Sequence, residues 1–182
     1  MLPQTMPRQG FLGFTLAVAL IAVYLASPAT TPAAITAADS RNAAPDFTLT
    51  DSKGAPVRLS GYKGRVVLLD FWATWCGGCK VEIPWYMEFQ NKYKDTGLSV
   101  IGVSMDEDGW KSVKPFIEEQ KMNYAVVIGN EELAKLYAVD NLPVTLLIDR
   151  NGKIAVTHAG LVEKDAFEKE IRALLEDKNA PK

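Results

Sequence analysis

One stretch constrains this chain more than any other: Asp70-Phe71-Trp72-Ala73-Thr74-Trp75-Cys76-Gly77-Gly78-Cys79-Lys80. An apolar run at 66–69 leads into it, and an amphipathic stretch at 81–93 follows. A short apolar run that ends in a loop reads as a buried strand, and an apolar period of three to four residues reads as a helix. The stretch is thus a strand, a short loop and a helix that starts at the first cysteine. Its two cysteines are the only two among 182 residues. Set three apart, they close a loop too small to restrict the unfolded chain much, so their value is chemical. A dithiol at a helix start after a strand is a redox motif with a physical rationale.

The charge balance excludes one broad class. A net charge of −2 leaves no basic excess of the kind a general nucleic-acid binder carries. There are no internal repeats and no heptads, and the apolar content suffices for one ordinary core.

Residues 1–26 form a separate object. Arg8 is their only charged side chain, and 11–26 is apolar apart from Gly13 and Thr15. This is an export signal or a short membrane anchor. The run falls somewhat short of the ~30 Å hydrocarbon core at ~1.5 Å per residue. It is also at or past the upper end of a signal h-region, about 7–15 residues. Cleavage after Ala29 or Ala38 would release a soluble periplasmic form; without it the chain stays on the cell membrane by a single N-terminal anchor. Either way the folded part is expected beyond the cytoplasmic membrane of a bacterium. Residues 27–44, rich in Ala, Thr, Pro and Ser, read as a tether. The domain is expected over 45–182.

Within it, 47–50 and 56–59 read as a β-hairpin with a Gly54 turn. A central strand is expected at 65–71, and a long helix at 76–94 with a kink at Pro84. Strands follow at 98–105, 125–128, 144–149 and 153–158, the last two joined by an Asn151-Gly152 turn. Helices are expected at 109–120, 131–139 and 162–176. This alternation implies an α/β domain with a mixed sheet covered on both faces, the thioredoxin arrangement.

The site chemistry follows from residue types. Cys76 is the expected attacking thiol, because free N–H groups and the dipole at a helix start favour an anion. Cys79, one turn on, would attack the resulting mixed disulfide and release the product. A tetrahedral zinc site needs four ligands; with two cysteines and one histidine, His158, no metal is expected. The Cys76–Cys79 pair would be the sole redox group, with no cofactor. Asp70 shares a strand face with Val66 and Leu68, where a carboxylate is desolvated and its pKa raised. It is the expected proton acceptor for Cys79, against the reading of a solvated aspartate at a strand end. Of Trp72 and Trp75, one belongs to the core and the other to an apolar surface that receives a partner. The Asp106-Glu107-Asp108 cluster reads as a loop or a helix cap.

Three motifs together carry a family likeness: Pro45-Asp46-Phe47, Phe71-Trp72-Ala73-Thr74-Trp75-Cys76-Gly77-Gly78-Cys79-Lys80-Val81-Glu82-Ile83-Pro84, and Leu142-Pro143-Val144-Thr145. Over roughly 45–175 the chain resembles the exported, often membrane-anchored thioredoxin-like thiol–disulfide oxidoreductases of the TlpA/ResA type. The resemblance implies a thioredoxin-like fold with an N-terminal hairpin and an inserted strand and helix at 125–139. It makes Glu82 the active-site glutamate. It makes Pro143 a cis proline packed on the dithiol, whose neighbour pairs with the substrate like an added strand. Trp75, Gly77, Gly78, Leu142 and Pro143 are accordingly the expected substrate-facing residues.

The implied partners are thiols or disulfides of exported proteins, such as apocytochrome c or copper-site cysteines, and a membrane electron donor of the DsbD/CcdA type. A monomer is expected. The resemblance implies a reductant, with an oxidising role as the alternative, because the Gly77-Gly78 pair departs from the residues common between the family's cysteines, where the intervening pair tunes the redox potential. A copper-delivery module is a second reading, since two thiolates suit Cu(I), although such modules pair a wider cysteine spacing with a nearby histidine. A thiol peroxidase is a third. Its signature would require proline and threonine where this chain has Leu69 and Ala73.

Overall fold

The computed structural model describes residues 34–177. The export signal or anchor expected at 1–26, and the first part of the tether, lie outside these. Among the described residues no helix is long and apolar enough to cross a membrane.

A five-stranded mixed sheet carries the domain. In chain order its strands are β3 (Val66–Trp72), β4 (Leu98–Ser104), β5 (Ala125–Ile128), β6 (Val144–Ile148) and β7 (Ile154–Ala159). Their spatial order is β5-β4-β3-β6-β7. β4 runs parallel to both β3 and β5, while β6 is antiparallel to both β3 and β7. The expected hairpin, β1 (Thr48–Thr50) and β2 (Pro56–Arg58), forms a separate two-stranded sheet, joined to β5 by the Asp51–Val127 bridge. The helices are α1 (Gly77–Tyr93), α2 (Trp110–Gln120), α3 (Glu131–Leu136) and α4 (Lys164–Glu176). α1 continues as one helix through Pro84.

Every residue of β3 is buried, because β3 is central and covered on both faces. Side chains alternate along it. Val67, Leu69 and Phe71 enter a layer with Ile101, Val103, Val144 and Leu146, closed by Phe47 and Leu59 from the hairpin side. Val66 and Leu68 enter the opposite layer, with Tyr86 and Phe89 of α1 and Phe167 and Ile171 of α4. The alternation that directs Leu68 toward α1 also directs Asp70 there. Trp72 then joins Cys76, Cys79 and Ile83 in a third cluster, with Val113 of α2.

The expected insertion is present as β5 and α3. Asn130 caps α3 by accepting the Leu133 N–H at 2.8 Å.

The ordered fold begins before the boundary expected at Ala44-Pro45. Residues 36–44 are docked on the β7 side of the sheet and are not tether. Thr36 donates to the Ala155 carbonyl, Ile154 to that of Asn42, and Ala44 to that of Gly152, at 2.8–2.9 Å. Arg41 is buried; its Nη1 lies 2.9 Å from Asp149 Oδ2, and its Nε donates to the Thr36 carbonyl at 2.8 Å.

Candidate active site

The site lies where β3 ends and α1 begins. The connecting loop is fixed from below by a residue that sequence reasoning left as loop or cap. Asp106, just past β4, is buried. Its carboxylate accepts the Thr74 N–H at 3.0 Å, the Thr74 hydroxyl at 2.5 Å and the Ser104 hydroxyl at 2.8 Å. Cys76 N–H donates to the Ala73 carbonyl at 3.1 Å, which closes the turn.

Cys76 is the N-cap of α1, one position before the helix proper. Its sulfur accepts the Cys79 N–H at 3.1 Å, satisfying one of the free donors of a helix start. Cys76 and Cys79 form a disulfide with an S–S distance of 2.01 Å. Cys76 is 5% exposed and Cys79 only 1%. The more exposed of the two is the residue expected to attack, and the less exposed the residue expected to resolve.

Trp75 is 69% exposed beside Cys76, while Trp72 is fully buried against Phe116. The two tryptophans therefore divide as the sequence required, with the core role falling to Trp72. The Leu142–Pro143 peptide bond is cis. Gly78 packs on the Pro143 ring, close enough that a Cβ there would lie 3.3 Å from Pro143 Cδ; the same atom at Gly77 would meet nothing within 4 Å. The Pro143 carbonyl accepts the Gly160 N–H at 2.8 Å. Thus Gly78 is in contact with the proline and Gly77 is open.

A polar layer sits between the sheet and α1. Asp70 and Glu82 are 1% and 0% exposed. Glu82 is therefore enclosed although it lies on a helix that is partly exposed. Its Oε1 accepts the Val162 N–H at 2.9 Å. Burial pushes Asp70 well above the ordinary carboxyl range, and the neighbouring Glu82 charge pushes it further. Burial also raises Glu82, opposed by the Val162 N–H, the Tyr86 hydroxyl and His158. Asp70 faces Thr145 across the β3–β6 pair, and Thr145 faces His158 across β6–β7. Thr145 Oγ1 is 3.4 Å from Asp70 Oδ1 and 2.9 Å from the Tyr86 hydroxyl. Asp70 Oδ2 and Glu82 Oε2 have no hydrogen-bond partner.

His158, at the end of the strand expected at 153–158, is committed to Glu170 at 2.7 Å and lies edge-on to Phe167. Tyr86, Thr145 and Asp106 are the site residues that sequence reasoning missed. The one signal for Tyr86 was its position four residues after Glu82, on the same helix face.

An N-capping cysteine joined to a buried second one, with two buried carboxyls beneath, is an arrangement for thiol exchange with proton transfer. The comparisons agree. The AhpC/TSA family model matches residues 41–157. The thiol-disulfide oxidoreductase ResA of Geobacillus kaustophilus is 37% identical over 132 residues, covering 72% of this chain and 75% of that protein. The ResA of Bacillus thuringiensis subsp. konkukian is 35% identical over 132 residues, covering 72% and 76%. A crystal structure of a DsbE-type thiol:disulfide interchange protein from Chlorobium tepidum is 38% identical, with a TM-score of 0.70 over 74% of this chain and 96% of that one. A secreted thiol-disulfide isomerase of Corynebacterium glutamicum, 19% identical, shares the fold with a TM-score of 0.73 over 83% of this chain and 96% of that one. The chain belongs to the AhpC/TSA family, among its thioredoxin-like thiol–disulfide oxidoreductases.

Proposed function

We propose that this oxidoreductase works outside the cytoplasm, held on the membrane by its N-terminal segment, and reduces cysteine pairs of exported proteins. Cys76 thiolate attacks a client disulfide and forms a mixed disulfide. Cys79 then passes its proton to Asp70 and attacks Cys76 Sγ. The client leaves with two thiols, and the Cys76–Cys79 disulfide is regenerated. The exposed Trp75, with Gly78, Leu142 and Pro143, receives the client chain, while Gly77 leaves the approach to Cys76 open. Apocytochrome c haem-site cysteines are the proposed clients. A membrane dithiol donor of the DsbD/CcdA type restores the reduced form, and the protein acts as a monomer with no redox group beyond its cysteine pair.

One observation carries this reading. Cys76 Sγ accepts a backbone N–H at a helix start, 3.1 Å away, next to an exposed tryptophan. The test is equilibration with glutathione followed by thiol trapping. A Cys79→Ser chain is expected to accumulate mixed disulfides with clients, and a Cys76→Ser chain is not. A chain whose cysteines never close an intramolecular disulfide would defeat the reading. The same N–H contact favours a second direction of flow, because a stabilised thiolate makes the disulfide a stronger oxidant. A potential near about −270 mV supports the reductant, and one near about −120 mV the oxidant. Membrane fractionation and N-terminal sequencing of the mature protein test the anchor.

A further inference from the structure

The two buried carboxyls lie on different elements, and a hydrogen-bonded pair of hydroxyl groups runs from Asp70 to the residue one turn beyond Glu82. Asp70 stands opposite Thr145 on the sheet, and Glu82 stands one turn from Tyr86 on α1. The Tyr86 hydroxyl is 2.9 Å from Thr145 Oγ1, and Thr145 Oγ1 is 3.4 Å from Asp70 Oδ1. Glu82 Oε2 is buried without a hydrogen-bond partner, one helical turn before the Tyr86 phenol. All four side chains are buried.

We propose that Asp70 and Glu82 act as one acid–base unit sharing a single proton, and that Tyr86 and Thr145 are the positioning residues that pass the proton between them. This rests on the thiol-exchange reading above.

Counting protons leads to this assignment. Each hydroxyl owns one proton; two links join Asp70, Thr145 and Tyr86, and a third is made when Tyr86 closes on the open Oε2 of Glu82 one turn away. With one further proton on the carboxyls, every link is filled in either of two senses. In one, Asp70 is protonated and donates to Thr145, Thr145 to Tyr86, and Tyr86 to ionised Glu82. In the other, every link is reversed and Asp70 is ionised. Passing from the first to the second breaks three O–H bonds and makes three, with no net change of charge. It empties Asp70, which can then take the Cys79 proton as the Cys79 sulfur bonds to Cys76 Sγ. Two carboxylates held this way titrate as a pair. Other titratable groups facing the unit are Tyr124, a partly buried residue whose hydroxyl is enclosed near Asp70, and His158, which acts on Glu82 and is itself paired with Glu170.

The experiment uses the reduced full chain and dithiobis(nitrobenzoate). Cys76 attacks the probe and releases a first nitrothiobenzoate. Cys79 then releases the second and closes the disulfide, so the two steps appear as two phases of absorbance. Tyr86→Phe and Thr145→Val are each expected to slow the second phase at neutral pH by at least about tenfold and leave the first unchanged. The pH at which the second phase reaches half its maximum rises, because Asp70 must then lose its proton unaided. The double variant loses no more than the worse single one, since either change cuts the same path, and Thr145→Ser retains the wild-type rate. An unchanged second phase in both single variants overturns the proposal. So does an equal slowing of both phases, or losses that multiply in the double variant. A wild-type chain with no second phase would instead defeat the oxidoreductase reading itself.

Discussion

Asp106 grips Thr74 twice, taking its backbone N–H at 3.0 Å and its hydroxyl at 2.5 Å. The grip fixes the residue two positions before Cys76, so Cys76 is placed by β4 as well as by its own helix. Asp106→Ala removes charge-assisted bonds in a buried setting and leaves the Thr74 N–H unpaired. A loss of roughly 2–3 kcal/mol in stability is expected, read by denaturant unfolding. Alkylation of reduced Cys76 should slow several-fold at unchanged pH.

The two glycines between the cysteines should respond differently. At Gly77 a methyl group meets no neighbour, so Gly77→Ala is expected to leave exchange rates unchanged and to be neutral or stabilising by up to about 1 kcal/mol. At Gly78 the methyl presses on Pro143 at 3.3 Å. Gly78→Ala should therefore slow exchange with a protein disulfide while leaving exchange with a small disulfide nearly unaffected. Parallel assays with glutathione disulfide and a peptide disulfide separate the two.

Asp70 costs stability at neutral pH. Its folded pKa lies well above the unfolded value, because of burial first and the Glu82 charge second. The native state therefore holds a proton that the unfolded state has lost, and stability falls as pH rises from about 4 through the folded pKa. Asp70→Asn removes this slope. The variant is expected to match the wild type near pH 4 and to melt above it at pH 8, in scans of the oxidised protein. Glu82→Gln should act in the same sense, since Glu82 is also raised.

Arg41 lies outside the expected domain, yet its side chain is buried against Asp149. Arg41→Ala leaves Asp149 with the Asn151 and Lys153 N–H groups but no cation. A loss of up to about 3 kcal/mol is expected. A chain that starts at Pro45 should melt below one that starts at Ala34, and comparison of the two by denaturant unfolding checks this.

The parts legible in the sequence were those written in local pattern. The strand–loop–helix around the cysteines and the alternation of elements, β5 and α3 included, emerged from period and turn residues, and the standing of β5 and α3 as an insertion from the family likeness. What stayed hidden depends on distant partners. Arg41 and Asp149 lie 108 residues apart, Thr74 and Asp106 lie 32 apart, and Tyr86 and Thr145 lie 59 apart. An acidic run such as Asp106-Glu107-Asp108 looks the same in sequence whether its first member is solvated or buried under a catalytic loop. Residues 36–44 have tether-like composition, yet they dock through backbone groups and one buried arginine, which composition does not record.

The alternation of β3 has a consequence for how errors in assembly would be felt. Asp70 reaches the dithiol side only because it is an even step from Leu68 and Val66, and the apolar layer on the other face is only one residue out of phase. A slip of one position would drive a carboxylate into hydrocarbon and turn Phe71 toward the sulfurs. Misregistered chains would thus be disabled as catalysts and penalised as folds by the same displacement, which makes the reactive centre its own proofreader of strand alignment.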